Sequence, residues 1–460
     1  MSGRTSECRG RGAAKCSQRT QLTGRVVYAD DPAYAAAKEN LIKLYRSDPF
    51  AIVFAQSEGD VLNALRFARE NRITPRIRCG GCSTQGYCGL DNAVTIDVSE
   101  MKKVEIDADR MVVRVGAGLT QAELTNALTD SGFFTATGNE GILGFIGVCL
   151  GGGIGLLSRI KGIGCYSLLE VRTVVTSGRC GAKLITANKE CHPDLLWASR
   201  GGGGGNFGIV TGYTMRLYRQ PRFITTWEVT FPFASFFVAY DAWQKWAPFA
   251  DGRLSSNCTV LGSGVDIKGI FMGTAAELDD LLSPITGVPG ATTTVTQVPF
   301  TTFYHLTTPP EEPFLKFSPM VAHRVFPLAA LKIIRSFVAV APSPKSNFFS
   351  LALGAAARKL PSGGAAFPFR KAIMYTECGA EWSDPDITPQ ALTWIEKFRL
   401  AMLPYFSGGY VNVLCAEISN YEEEYYGDSA ERLGRVKARY DPHDVFHFEQ
   451  SIKNRPPPLE

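Results

Sequence analysis

Apolar and polar positions change period several times along this chain. Residues 51–54 (Ala-Ile-Val-Phe) form an unbroken apolar run, short enough for a buried strand. Over 58–71, Val61, Leu62, Leu65 and Ala68 recur at helical intervals, which predicts an amphipathic helix. Strands are predicted at 74–78, 93–98, 111–116, 168–176 and 209–217. Thr120 and Glu123 have capping-box spacing and open a helix over 121–131. Residues 26–46 mix apolar and polar positions at helical spacing and predict an opening helix, and 194–197 begin a short one.

From about Pro221 the texture changes. Strands are predicted at 224–230, 258–263, 269–273, 349–353 and 373–378, helices at 236–246 and 275–282, and a loop at 342–348. Residues 389–403 read as a helix with Thr388 as its cap, Pro389 at its first position and Pro404 at its close. Residues 410–414 read as extended and 428–437 as helical. The pattern predicts an α+β chain whose later part is an antiparallel sheet with covering helices.

Three glycine-rich stretches interrupt the early pattern: 78–86 (RCGGCSTQG), 135–159 and 200–208 (RGGGGGNFG). In the first, Gly80 and Gly81 allow a sharp turn whose N–H groups converge on an anion, with Arg78 adding charge and Ser83 a hydroxyl. The second is too apolar and glycine-rich for an ordinary helix or strand. Gly151-x-Gly153 lacks the preceding strand, the regular helix and the later acid of a Rossmann fingerprint. One nucleotide cradle built from separated loops fits better.

Length, at 460 residues, allows two or three domains. The net charge of +4 is largely local: Arg4, Arg9, Arg11, Lys15, Arg19 and Arg25 stand against Glu7, so residues 1–25 read as a basic disordered tail. The remainder carries no basic footprint for nucleic acid. No run is long enough to span a membrane and no signal peptide is visible. A cytoplasmic location is the default reading, and a misplaced start codon would hide a secretory signal. The 12 cysteines follow no disulfide framework, and Cys79-x-x-Cys82 lacks the second pair or histidines of a zinc site, so no metal is expected.

With these stretches placed, the chain resembles the berberine-bridge-enzyme-like flavoproteins of the vanillyl-alcohol-oxidase superfamily. Four blocks carry the resemblance: RIRCGGCSTQGY (76–87), LGGGIGLLSRIKGIGCYSLLEVRTVV (150–175), DLLWASRGGGGGNFGIVT (194–211) and YYGDSAERLGRVKARYDPHDVFHFEQSI (425–452). The resemblance implies a two-part FAD-binding domain of the PCMH type (26–220), a substrate domain (221–405) and a C-terminal segment (406–460) that completes the FAD domain. It implies hydride transfer from a substrate C–H to flavin N5, with O2 taking the electrons to give H2O2. Arg78, Cys79, Gly80, Gly81, Cys82, Ser83 and Gly86 would hold the pyrophosphate. Gly147, Gly151, Gly152 and Gly153 would pack along the cofactor. Asn206, Gly208 and Val210 would contact it, and Tyr410 and Asn412 match the family's Tyr-x-Asn at the isoalloxazine.

The sequence departs from the family at both covalent attachment points. Cys82 stands where many relatives carry the linking histidine, and the position of the linking cysteine falls near Glu140, counting back from Leu150. Dissociable FAD is the expected consequence. A thioether from Cys82 is the alternative, if Arg78 and loop N–H groups lower its pKa. Tyr410 is the candidate base, although an ordinary Tyr pKa near 10 requires help from a neighbour. Glu377 matches a position where some relatives carry an acid aimed at substrate, and strand alternation puts Tyr375 on its face. Glu140 reads as a substrate contact or a solvated loop acid. His305 and His323 read as structural, and His443 and His447 as surface or packing.

The expected function is oxidation of a small organic alcohol or specialised metabolite. The alternatives are a non-redox cyclase of Diels–Alder type that keeps FAD as scaffold, and a carbohydrate oxidase, for which Phe303 and Tyr304 are available to stack a sugar.

Overall fold

The computed structural model describes residues 20–304 and 312–456. His305 and the basic residues Arg4 to Arg19 lie outside them. The end of the expected tail is anchored: Thr20 donates to Glu70 from its N–H (3.0 Å) and its hydroxyl (2.9 Å), and Thr23 donates to Asp60 (2.6 Å).

A four-stranded sheet comes first, in the order Arg25–Tyr28, Ala51–Phe54, Val94–Asp97, Pro75–Arg78. The last three strands run parallel. Ala51–Phe54 is buried at every position, so its apolar run shows no alternation. The helix Glu58–Asn71 supplies the crossover that parallel pairing requires. Ser57 and Asp60 form its capping box, and Val61, Ala64, Leu65 and Ala68 form its buried face. An antiparallel five-stranded sheet follows, ordered Val104–Asp107, Val112–Gly116, Ile209–Arg216, Leu168–Ser177, Gly181–Ala187. One hydrophobic core joins the two sheets.

A seven-stranded antiparallel sheet forms the second part. Its order is Thr292–Pro299, Phe223–Pro232, Gly264–Phe271, Leu254–Leu261, Asn347–Ala352, Met374–Trp382, Phe314–Ala322. Alternation decides what each face meets. Met320, Phe348, Met374 and Cys378 pack under the helices Phe236–Trp246, Leu328–Val338 and Thr388–Met402. Val321, Leu351 and Tyr375 join the core of the first part instead. Beyond these helices the chain returns, and Tyr425, Leu433 and Ile452 pack into that same first core.

Some expectations are corrected. Residues 26–46 hold the strand Arg25–Tyr28 and a four-residue helix, Tyr34–Ala37, instead of one longer helix. Val26 and Val27 are drawn into pairing with Val53 and Ile52. The second glycine stretch contains a seven-residue helix, Phe145–Gly151. Its sequence, FIGVCLG, is apolar or glycine at every position, so no polar face marks the period of the buried Phe145, Ile146, Cys149 and Leu150. Thr388 is the first residue of its helix and caps nothing; its hydroxyl accepts from the Trp382 indole (2.9 Å). Residues 410–413 form a turn closed by the Val413 N–H on the Tyr410 carbonyl (2.9 Å), not an extended segment.

Candidate active site

A cavity of about 630 Å³ lies between the two parts, within the range of roughly 300–1,000 Å³ usual for cofactor and ligand sites. One wall is the first glycine loop, where Cys79, Gly80, Gly81, Cys82 and Ser83 line the space. Gly81 takes a φ of +65°, which a residue without Cβ adopts cheaply. Ser83 Oγ accepts from the Tyr87 N–H (3.1 Å) and closes the loop. Thr84 Oγ1 and Gln85 Nε2 each donate to the Leu414 carbonyl at 3.0 Å. Two motifs 330 positions apart are thereby stitched together.

The floor is the helix Phe145–Gly151. A Cβ added at Gly147 would meet nothing within 4 Å, so it would project into the cavity. Gly151, Gly152 and Gly153 do not line that space. They seat the Tyr410 turn: a Cβ on Gly151 would fall 1.9 Å from Asn412 Oδ1, and one on Gly152 would fall 3.0 Å from the Tyr410 ring. The Tyr410 hydroxyl oxygen accepts from the N–H groups of Gly153 (2.8 Å) and Ile154 (3.2 Å) and from Asn412 Nδ2 (2.8 Å). Asn412 Nδ2 also donates to the Val148 carbonyl (2.7 Å). Burial raises the Tyr410 pKa above its ordinary value, although these donors pull against it.

Asn206, Gly208 and Val210 line the cavity from the third glycine stretch. Asn206 also clamps the returning segment, its Oδ1 accepting from the Ile452 N–H (2.9 Å). The roof is one face of the seven-stranded sheet. Thr259, Phe349 and Glu377 lie opposite one another in register, as do Asn257, Leu351 and Tyr375. The Tyr375 hydroxyl donates to Glu377 Oε2, and its ring meets Tyr410 edge-on at 5.3 Å. Burial lifts the Glu377 carboxyl to about 7; the Tyr375 bond opposes this, while Glu140 and Glu381 add to it.

Arg78 and Gly86 do not line the cavity. The Arg78 guanidinium is buried in an ion pair with Asp97 and also donates to the Ala37 carbonyl (2.7 Å). Its charge is satisfied inside the fold and is not offered to an anion. A Cβ on Gly86 would meet Tyr45 at 2.4 Å, so this glycine serves close packing. Burial pushes the Cys82 thiol up to about 12, and only the Gly144 N–H opposes it. The cation expected to activate Cys82 is already paired. Cys79 donates to the Ala117 carbonyl (3.1 Å).

The cavity also recruits residues the motifs did not single out. Gly203, Gly204, Glu381, His447 and Phe448 line it, and the His447 side chain is 62% exposed, in keeping with its surface reading. Arg76 lines it too, donating one guanidinium arm to the His447 carbonyl while its Nε is buried without a partner. Phe303 and Tyr304 sit at a smaller neighbouring cavity. His323 contacts Ser407 instead of the cavity. A bare glycine floor, an unsatisfied guanidinium N–H and one cavity lined by motifs far apart in the chain fit a flat cofactor with acceptor-rich groups.

Residues 49–181 match a family model described as an FAD binding domain, and residues 409–453 match one described as berberine and berberine like. The chain is 38% identical over 449 residues to the FAD-linked oxidoreductase YgaK of Bacillus subtilis (strain 168), covering 96% of this chain and 98% of that one. It is 30% identical over 210 residues to (R)-6-hydroxynicotine oxidase of Paenarthrobacter nicotinovorans, covering 46% and 45%. The solved structure of Physcomitrella patens BBE-like 1 has a TM-score of 0.86 at 23% identity, covering 94% of this chain and 97% of that one. The chain therefore belongs to the berberine-bridge-enzyme-like FAD-linked oxidoreductases, enzymes that use FAD as cofactor.

Proposed function

We propose that this enzyme oxidises a small organic alcohol or specialised metabolite, with O2 as electron acceptor and H2O2 as product. When bound, FAD supplies the two-electron acceptor that takes a hydride from a substrate C–H and passes the electrons to O2. The chain's residues hold the parts in place and move the proton. Gly80, Gly81, Gly147 and Asn206 line the space for the cofactor, and Arg76 Nε offers it a donor. Cys82 is held protonated and no cysteine stands near Glu140, where the other attachment would fall, which supports a dissociable FAD.

One observation carries the reading: the Tyr375–Glu377 pair sits on the sheet face that closes the cavity. As the substrate hydroxyl becomes a carbonyl, its proton passes to the Glu377 carboxylate. A carboxyl at about 7 suits that task near neutral pH. Tyr375 orients the acceptor oxygen. Tyr410 suits a different role from the base expected of it, because burial keeps its phenol protonated and its oxygen is already occupied by N–H donors.

The test is anaerobic mixing of the FAD-loaded protein with a panel of alcohols and polyfunctional metabolites. An oxidised substrate bleaches the flavin, and Glu377→Gln is expected to slow that bleaching by about 10²–10⁴-fold with FAD content unchanged. A compound that is converted while the flavin stays oxidised would move the assignment to the non-redox cyclase.

A further inference from the structure

A smaller cavity of about 190 Å³ opens beside the main one and shares Gly138, Asn139, Glu140 and Phe349 with it. The chemistry described above does not use it. Its walls are mostly apolar, with Leu156, Leu157 and Phe303 completing the lining. Two polar groups break this surface. Glu140 enters from the loop after Asn139, and burial alone accounts for its raised pKa, with no cation offsetting it. Asn257 enters from the strand Leu254–Leu261, on the same strand face as Thr259 of the main cavity. Asn257 is only 9% exposed, and its Oδ1 is buried with no hydrogen-bond partner.

The other polar side chains of the chamber have partners. Thr137 donates to Gln121, Asn139 Oδ1 accepts from the Leu156 N–H (3.0 Å), and the Tyr304 hydroxyl exchanges bonds with the Thr135 backbone. The chamber therefore presents a carboxyl group between aromatic rings, with the unpartnered Asn257 amide oxygen buried in its wall. No Lys or Arg occurs among its described lining residues. A buried acceptor without a partner is costly until a donor arrives. An ammonium group carries three donors and no acceptor, and aromatic faces attract it as well. An anion placed here would face the Glu140 carboxyl.

We propose that this side chamber is a substrate subsite for a protonated amine, held by the Glu140 carboxylate and Asn257 Oδ1, with its carbon carrier against Phe303 and Phe349. The subsite rests on reading the main cavity as the place of FAD and of the oxidised carbon. It narrows the substrate class to hydroxylated compounds that also carry a basic nitrogen.

The experiment titrates FAD-loaded protein, without O2, with 2-phenylethylamine and 3-phenylpropylamine and with the matching neutral alcohols. Binding is read from the perturbed flavin absorbance and from calorimetry. The amines are expected to bind about tenfold tighter than the alcohols, or more. Glu140→Gln should bring that ratio close to one while FAD content and melting temperature hold. Asn257→Asp adds a second carboxylate and should tighten amine binding, and Asn257→Leu should weaken it without touching alcohol binding. Amines no tighter than alcohols, or a preference that survives Glu140→Gln, overturns the proposal. Failure of the oxidase reading looks different: the flavin stays oxidised with every substrate tried while the amine preference persists.

Discussion

At the scale of single residues, Glu377 takes its working range from its surroundings. A base acts only after losing its proton, so flavin reduction is expected to rise through about pH 7, the value burial gives this carboxyl. The Tyr375 hydroxyl stabilises the charged form. Tyr375→Phe should therefore move the midpoint to higher pH while FAD content stays constant, and a stopped-flow pH series reads this directly. A midpoint that stays put would leave Tyr375 with no hold on the base. Stability carries the opposite sign. The folded-state value is raised, so between the ordinary carboxyl range and about 7 the unfolded chain has lost the proton that the folded chain keeps. This group's contribution to stability falls across that window as pH rises, and Glu377→Gln removes the slope. Two glycines divide floor from frame in the same way. Gly147→Leu points into open cavity, so it should fold with an unchanged apo melting temperature and fail to retain FAD. Gly151→Ala drives a methyl group onto Asn412 Oδ1, in a side chain fixed by Val148 and Tyr410. It should destabilise even the apo protein, by about 1–3 kcal/mol.

Among the elements, the four-residue helix Ser158–Lys161 does more than its length suggests. Its Arg159 is 1% exposed and donates to the carbonyls of Leu254 (2.9 Å), Pro248 (2.6 Å), Leu353 (2.7 Å) and Ala250 (2.8 Å). These acceptors sit at the start of Leu254–Leu261, just past Asn347–Ala352 and around the turn between them and the helices. One side chain thus ties the second glycine stretch to the seven-stranded sheet. Burial lowers its pKa to about 10, so it stays charged near neutrality. Arg159→Met keeps the bulk and strands the carbonyls, with an expected cost of about 3 kcal/mol or more in urea denaturation. A loss within about 0.5 kcal/mol would mean that water replaces the guanidinium. No motif announces this role. Elements with a clean period were readable: Glu58–Asn71 and Phe236–Trp246 carry their apolar faces openly, and Thr120 with Glu123 forms the expected capping box. Thr292–Pro299 was not, because an edge strand exposed at nearly every position has no period to read. Leu328–Val338 carries a readable stripe in Ala330, Leu331, Ile334 and Val338. Alternation placed Tyr375 and Glu377 together but could not say which side faced the cavity. Nothing local shows that Asp97 takes the Arg78 charge, which decides the pyrophosphate expectation, or that burial keeps Cys82 protonated.

For the whole molecule, cofactor binding and docking of the C-terminal segment are one equilibrium. Lys437 is fully buried, pairs with Asp441 (3.3 Å) and donates to the carbonyls of Asn206 (3.1 Å) and Phe446 (2.6 Å). Asp441 in turn accepts from the N–H groups of Val445 and Phe446 at 2.9 Å each. These bonds hold Phe446, His447 and Phe448 against the cavity, beside Asn206. FAD that contacts this wall must favour the docked segment, and the docked segment must favour FAD by the same factor. Excess FAD is therefore expected to stabilise the protein by about 2.7 kcal/mol at a hundredfold excess over its Kd. Lys437→Met breaks a buried pair at about 3–5 kcal/mol and should also weaken FAD binding. Gly147→Leu should lose FAD without the stability loss. Thermal melts with and without FAD, on all three proteins, separate these effects. Acid precipitation of the wild type should leave all flavin in the supernatant, since Cys82 holds its proton. If Lys437→Met melts early yet binds FAD as tightly as the wild type, the returning segment only buttresses the fold and the cofactor's wall lies elsewhere.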